Sequence, residues 1–516
     1  MEQIAIIDLG SNSIRFVIIQ ISVKGSYKLI YQEKESIRLS DGMFENNMCL
    51  TEEAQQRALK SLMVYSHIIK SHNITKVLAV ATAAVRNAKN GSSFIKRVRA
   101  STGIPMTVIS GFAEATLGFS GVIHTIDKKD FLLFDLGGAS VEISLVKNKK
   151  RVNSISIPIG AVTLTEKFHS ENKISASLKE EMELFIAKQL NRIDWLPKKN
   201  IPIIGIGGTV RNLAKIHQRK KQYPLSKLHN YHIPTKDLYR IITNLTKTTT
   251  EERKYISGLS NERNDIIIAG TLVIQELLKA VKPEELIISG CGLREGIFFR
   301  YYDKKYDNKK EYLKNMLISS VKNYKASIPL HDNKHVTLVT KIALTMFDQW
   351  KSLHNLPNRF RKLLFTASFL HDTGILINYY SHARHSAYLT ANAHIFGLSH
   401  KEQIMCAFII AFHHGYSRKF TRNNPYLSLL SDEDIKQIKI LACFLQLAEC
   451  LDESNSQLVN KVVCSSSHNM ALIRVYITET HFDMFAHAVN DIAPYFEKLF
   501  DIKLVLEWYP SNRAKR

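Results

Sequence analysis

Two short segments carry residue types suited to phosphate chemistry. Ala5-Ile6-Ile7-Asp8-Leu9-Gly10-Ser11-Asn12-Ser13 recurs in altered form as Leu132-Leu133-Phe134-Asp135-Leu136-Gly137-Gly138-Ala139-Ser140. Each reads as an apolar strand, then Asp-x-Gly, then small residues, and each continues into a second β-rich stretch, 16–19 and 141–146. A buried strand that delivers an Asp into a glycine turn can hold a metal-bound phosphate. The glycine lets backbone N–H groups approach the oxyanion, and the Asp meets the cation. Two such hairpins, one per lobe and facing each other, would build a cleft for a phosphorylated substrate. Cleaving a phosphoanhydride with water requires a neutralising cation, backbone donors for the phosphoryl oxygens and a carboxylate that positions or deprotonates the water.

Asp8, Asp135 and Glu142 are the candidates for the cation. Asp135 ends its strand and Glu142 lies on the returning one, so a hairpin brings both to one end; alternation with Val141 and Ile143 equally fits a solvent-facing Glu142. Glu114, in Ser110-Gly111-Phe112-Ala113-Glu114-Ala115, falls in the first turn of a helix that follows a strand. It is the candidate for the water, although a carboxylate there also suits the helix dipole. Arg86 follows the strand ending in Ala81 and could clamp a phosphate with two parallel hydrogen bonds, or lie on the surface.

The elements that must position these groups are legible in periodicity. Residues 52–71 have helical spacing of Leu59, Leu62, Met63, Ile68 and Ile69. Strands are expected at 76–81 and 106–109, and helices at 92–101 and 111–123, giving an α/β unit over 1–125. The pattern restarts near 128 with another hairpin. Two further glycine turns follow apolar strands, at Gly205-Ile206-Gly207-Gly208-Thr209 and Ser289-Gly290-Cys291-Gly292, each ahead of a helix whose N–H groups could face a phosphate. The polar stretch 301–310 reads as a linker or the solvated start of a helix. Helical periodicity then dominates 311–455, and 460–516 reads as strand, helix at 484–500, strand at 503–508.

At 516 residues the chain should hold about three to four domains. Hydrophobic residues make up 45% of it, within the ordinary globular range. No apolar run approaches the roughly 18 residues of a membrane span, and the first residues show no signal-peptide pattern. The six cysteines are scattered without Cys-x-x-Cys, which predicts reduced thiols and a cytoplasmic location. A formal net charge of +23 attracts polyanions. No zinc-finger spacing, RNA-binding aromatic signature or long basic tail beyond Arg513-Ala514-Lys515-Arg516 points to specific nucleic-acid binding.

Six motifs in order carry a resemblance: Asp8 to Arg15, Ala81 to Ala88, Ser110 to Ala115, Asp135 to Glu142, Gly205 to Ala214 and Ser289 to Gly296. Together they resemble the exopolyphosphatase / guanosine pentaphosphate phosphohydrolase family of the actin-like, sugar-kinase-like superfamily. The resemblance implies an α/β fold of two actin-like (ribonuclease H-like) lobes, 1–125 and 126–305, around a cleft. It further implies an all-α HD-like domain at 311–456 and a small α+β unit at 457–516. It makes Glu114 the water-activating residue, and Asp8, Asp135 and Glu142 the metal residues. It gives phosphate contacts to Ser11, Asn12, Ser13, Arg15, Arg86, Gly137, Gly138, Ala139, Ser140, Gly207, Gly208 and Thr209. Mg²⁺ or Mn²⁺ is the implied cofactor, with room for K⁺, and a homodimer the implied assembly. The chain departs from the family at Ala139, where glycine is usual, at Val141, where threonine is usual, and at Ala113, where a second glutamate often stands.

His335, His371-Asp372 and Asp452 occur in order across the helical stretch, each on or at the end of an apolar stripe. A carboxylate on a buried stripe needs a partner, and His-His-Asp-Asp suits a divalent cation. The ordered set resembles an HD domain and implies a second metal there; His385, His413 and His414 could add ligands. His331-Asp332 is the chance occurrence of the same dipeptide. The expected activity is release of the terminal phosphate from inorganic polyphosphate. The alternatives are removal of the 5′ phosphate of guanosine pentaphosphate, and a polyphosphate- or alarmone-binding regulator (of penta- or tetraphosphate) with incidental turnover.

Overall fold

The computed structural model describes residues 1–511 except 44, 198–200, 307–308, 330–333, 416–417 and 479–482. His331-Asp332 and the basic residues 513–516 therefore lie outside the described residues. The chain forms two compact units, Met1–Lys314 and Asn315–Arg516.

The first unit is built on two sheets of related topology. Strands β1 (Glu2–Leu9), β2 (Ser13–Ile21), β3 (Tyr27–Ser36), β4 (Lys76–Ala81) and β5 (Met106–Val108) lie in the order β3-β2-β1-β4-β5. The second sheet contains β6 (Phe131–Leu136), β7 (Val141–Lys147), β8 (Lys150–Ile157), β9 (Ile203–Gly207), β10 (Tyr231–Pro234) and β11 (Glu285–Ile288). Its order β10-β11-β9-β6-β7-β8 repeats the first, with β10 added at one edge. In both sheets an antiparallel three-strand meander is continued by parallel strands. This duplicated plan is the actin-like pair of lobes expected from the motifs.

Local signals explain the elements around the cleft. Helix Glu52–Ser71 starts where Thr51 accepts from the Ala54 N–H, with Glu52 and Glu53 in its first turn. It covers one face of the first sheet, where Tyr65 stacks on Phe16 at 4.7 Å. Helix Gly111–Ile123 starts where Ser110 accepts from Ala113 N at 3.2 Å. It crosses helix Leu293–Tyr306 at very short range. A Cβ on Gly296 would lie 1.8 Å from the Leu117 carbonyl oxygen, and one on Gly121 2.2 Å from that of Gly292. Glycines at this crossing let a helix end from each lobe share the cleft. The stretch from 301, read as a linker or the solvated start of a helix, is the end of helix Leu293–Tyr306, where Tyr302 packs on Tyr27 and Phe298.

The described residues of the second unit between Met316 and Cys450 are mostly helical, and the unit ends in a three-stranded sheet, β12 (Val459–Ser466), β13 (Met470–Ile477) and β14 (Lys503–Pro510), in that order. Trp350 is fully buried where its ring meets Phe496 at 5.4 Å, and its indole N–H donates to Ser465 O at 3.0 Å. Among the described residues, no helix is long and apolar enough to cross a membrane.

Candidate active site

The two Asp-x-Gly turns close alike. Gly10 N–H donates to Ser13 O at 3.1 Å, and Gly137 N–H to Ser140 O at 2.9 Å. They approach closely, since a Cβ on Gly138 would lie 3.0 Å from Ser11 Cβ. Register places Asp8 opposite Arg15 and Asp135 opposite Glu142. The duplicated hairpin thus carries a cation at the returning position of one lobe and an anion at that of the other.

Between the turns lies an open cleft. Asp8, Asp135 and Glu114 line it together with Ser11, Asn12, Ser13, Arg15, Gly137, Gly138, Ala139, Ser140, Gly207 and Gly208. Ala139, where glycine was usual in the resembled family, is accommodated as a buried wall residue. Gly207 adopts φ 117°, in the region that favours glycine, and starts helix Gly208–Lys220 at the cleft edge.

Three expected residues lie differently. Arg86 does not line the cleft. Its Nη1 alone donates both to Glu114 Oε2 and to Ile109 O, each at 2.9 Å, so one terminal nitrogen of the guanidinium is committed to the carboxylate beside it. Glu142 is buried beside Asp135 and close enough to raise both Asp135 and Glu114, and the Ser140 and Ser156 hydroxyls each donate to its Oε1 at 2.7 Å. Thr209 is fully buried against Gly270 and is not one of the residues lining the cleft.

The electrostatics are strained. Burial, then repulsion from Glu142, pushes Glu114 up to about 8 against the pull of Arg86. Burial, then Glu142, pushes Asp135 up to about 7. Burial raises Asp8 and Glu142. Four arginines line the same cleft as the carboxylates: Arg15, Arg211, Arg263 and Arg294. Repulsion from Arg15, then burial, holds Arg211 well below the ordinary arginine range, and burial first holds Arg263 near 10. The amide Nδ2 of Asn12, a cleft residue, is buried without a partner. Buried carboxylates that raise one another, hard oxygen donors all, fit Mg²⁺ or Mn²⁺. Buried arginines that repel one another fit an anion with several charges.

Arg211, Arg263 and Arg294 were not singled out from sequence. Arg211 and Arg294 follow glycine turns by a few residues, which is a usable signal, whereas Arg263 ends an isolated 3-10 turn, Asn261–Arg263, with none.

In the second unit His335, His371 and Asp372 come together as expected. Asp452 stands behind them, accepting from His335 Nδ1 at 2.9 Å. Glu449, not anticipated, takes the inner position, 2.7 Å from His371 Nε2 and 3.3 Å from His335 Nε2. His382, also not anticipated, joins His413 and His414, and His385 is absent from both groups.

Comparison with known proteins finds the Ppx/GppA phosphatase family matched over residues 17–305 and domain III of the Ppx/GppA phosphatases over 320–488. A bifunctional 3-dehydroquinate synthase/phosphatase of Fusobacterium nucleatum is 31% identical over 55% of this chain, which spans 44% of that protein's length. A guanosine-5′-triphosphate,3′-diphosphate pyrophosphatase of Pseudoalteromonas atlantica is 26% identical over 78% of each chain. The crystal structure of an exopolyphosphatase from Cytophaga hutchinsonii matches at 27% identity and TM-score 0.54, covering 59% of this chain and 98% of the other. An Aquifex aeolicus Ppx/GppA family member matches at 28% identity and TM-score 0.52, covering 59% and 99%.

Proposed function

The chain belongs to the Ppx/GppA phosphatase family, hydrolases of phosphoanhydride bonds, and from that premise we propose that it releases the terminal phosphate of inorganic polyphosphate. The observation that carries the choice is the convergence of Arg15, Arg211, Arg263 and Arg294 on a cleft with an acidic floor. Four guanidiniums answer a repeating anion, and among the described residues no aromatic ring lines that cleft on which a guanine could stack.

In this reading Asp8, Asp135 and Glu142 hold Mg²⁺ or Mn²⁺, which neutralises charge on the phosphoryl group when bound. The small-residue turns present N–H groups to the terminal phosphate, and the Asn12 amide gains an acceptor in its oxygens. Glu114 orients the water and takes its proton. Arg86 fixes which carboxylate oxygen is free, because it occupies Oε2. Glu142 keeps its own oxygen aligned through Ser140 and Ser156.

A second reading, removal of the 5′ phosphate of guanosine pentaphosphate, has support in the name of the Pseudoalteromonas relative. The purified chain with Mg²⁺, offered long-chain polyphosphate and guanosine pentaphosphate in parallel, separates the two. Faster phosphate release from polyphosphate is expected. Release from the nucleotide alone overturns the primary reading. Tight binding with release from neither makes the protein a regulator.

A further inference from the structure

Eight polar side chains of the second unit cluster together, and the cleft chemistry does not use them. Three of them hold buried atoms with no hydrogen-bond partner: His371 Nε2, His413 Nε2 and Glu449 Oε2. His371 and His413 are fully buried, and Glu449 is 8% exposed.

The protonation pattern follows from the outer contacts. A carbonyl oxygen only accepts, so an imidazole nitrogen facing one carries the proton. His371 Nδ1 faces Ser368 O at 2.6 Å, His413 Nδ1 faces Ile410 O at 2.5 Å and His382 Nδ1 faces Tyr379 O at 3.1 Å. His335 Nδ1 is held by Asp452 at 2.9 Å. Four rings are therefore anchored through Nδ1, and their Nε2 atoms turn inward. This is how a metal-binding histidine is oriented, by a fixed acceptor on its far nitrogen.

What the Nε2 atoms meet is electron-rich. His371 Nε2 lies 2.7 Å from Glu449 Oε2, yet neither atom is in hydrogen-bonding geometry. His382 Nε2 lies 3.2 Å from His414 Nε2. Asp372 stands between the two groups. Its Oδ2 is 3.6 Å from His335 Nε2, while its Oδ1 is 3.5 Å from His371 Nε2 and 3.4 Å from His382 Nε2. Ligand atoms of His335, His371 and Asp372 lie within 4.8 Å of one another, as do those of His382, His413 and His414. A carboxylate with one oxygen toward an inner set and the other between both sets is placed as a bridge.

We propose that this cluster is a dinuclear site for first-row divalent transition ions. His335, His371 and Glu449 hold the inner ion, His382, His413 and His414 hold the outer one, and Asp372 bridges them. Imidazole-rich donors select Zn²⁺ or Fe²⁺ over Mg²⁺, and the carboxylates of Asp372 and Glu449 also admit Mn²⁺. The outer site opens to solvent, since His414 is exposed and His382 only partly buried, so water can complete its coordination. Asp452 is a positioning residue that acts through His335.

The test counts ions in the full-length chain, in an Asp135→Asn background that removes the acidic cleft from the count. The protein is equilibrated with Zn²⁺ and, separately, Mn²⁺, then dialysed and measured by mass spectrometry. Two ions per chain are expected in the parent, one in His382→Gln/His414→Gln, and at least about tenfold weaker retention in Asp372→Asn. The double variant alters the solvent side, and an unchanged melting temperature in chelator shows that it folds. Fewer than two ions in the parent, two in the double variant, or parent-like retention by Asp372→Asn overturns the proposal.

Discussion

Replacing Glu114 by Gln should make the metal-free protein more stable and the enzyme nearly inert, and the stability gain should depend on pH. Glu114 is raised from 4.5 to about 8 in the folded chain, by burial first and by Glu142 second. The sign follows from linkage. The unfolded carboxyl ionises near its ordinary value while the folded one resists. The folded state is therefore unpenalised below about pH 4.5 and loses stability as pH rises toward about 8. At about 1.4 kcal/mol per unit, the full penalty above pH 8 is on the order of 5 kcal/mol. Glu142 shares the repulsion, so about half, ~2 kcal/mol, is a fair share for one residue. Gln cannot ionise and still accepts from Arg86, so Glu114→Gln recovers this share at pH 8 and almost none at pH 5. For a unit spanning Met1–Lys314, ~2 kcal/mol raises the melting temperature by about 3 °C. Turnover should fall by about 10² to 10⁴, since a general base contributes that much. Thermal melts in chelator at pH 5 and 8, with steady-state phosphate release in Mg²⁺, check both halves. Equal shifts at both pH values, a loss at pH 8, or turnover near wild type would refute the reasoning.

Because Asp135 and Glu114 titrate near 7 and 8 without a cation, apparent Mg²⁺ affinity should climb across about pH 6 to 8, with up to about tenfold per unit for each proton released. Isothermal titration at several pH values reads this, and a flat affinity would contradict the carboxylate assignment. Gly296→Ala should cost about 3 kcal/mol or more by forcing apart the helix crossing at Leu117; a melting temperature within about 1 °C of wild type would deny that close contact. Arg253, fully buried, donates to the carbonyls of Glu171, Asn264, Asn172 and Thr248, a fork that lysine cannot reproduce. Arg253→Lys should therefore cost about 2–3 kcal/mol in urea unfolding, and an unchanged midpoint would rule out that bracing role.

Elements whose local and tertiary signals agree were readable to the residue. The helix from Glu52, the strand Lys76–Ala81 and the helix from Gly111 each begin or end at a cap or an apolar boundary visible in the chain. The duplicated Asp-x-Gly hairpin was equally plain, because strand period and glycine turns repeat in order. Convergence was not. Arg211, Arg263 and Arg294 come from three separate segments, and only the folded sheets bring their guanidiniums to one cleft. Arg86 was placed by its motif but not by its partner, since nothing local says that a carboxylate 28 residues on will engage its Nη1. Glu449 adjoins the apolar stripe through Leu441, Leu445 and Ala448, yet Asp452 drew attention as the stripe's end. The helical turn puts the first at the inner position and the second behind His335. The helix to Tyr306 looked polar because its packing face is tyrosine rather than aliphatic.

The central claim is that the cleft removes phosphate from the end of a chain through Glu114. Polyphosphate of one defined length, incubated with the full chain and Mg²⁺, should yield orthophosphate with only end-shortened chains, and Glu114→Gln should leave the polymer intact while still binding it. Internal fragments as the first products, or equal phosphate release by Glu114→Gln, would contradict the account.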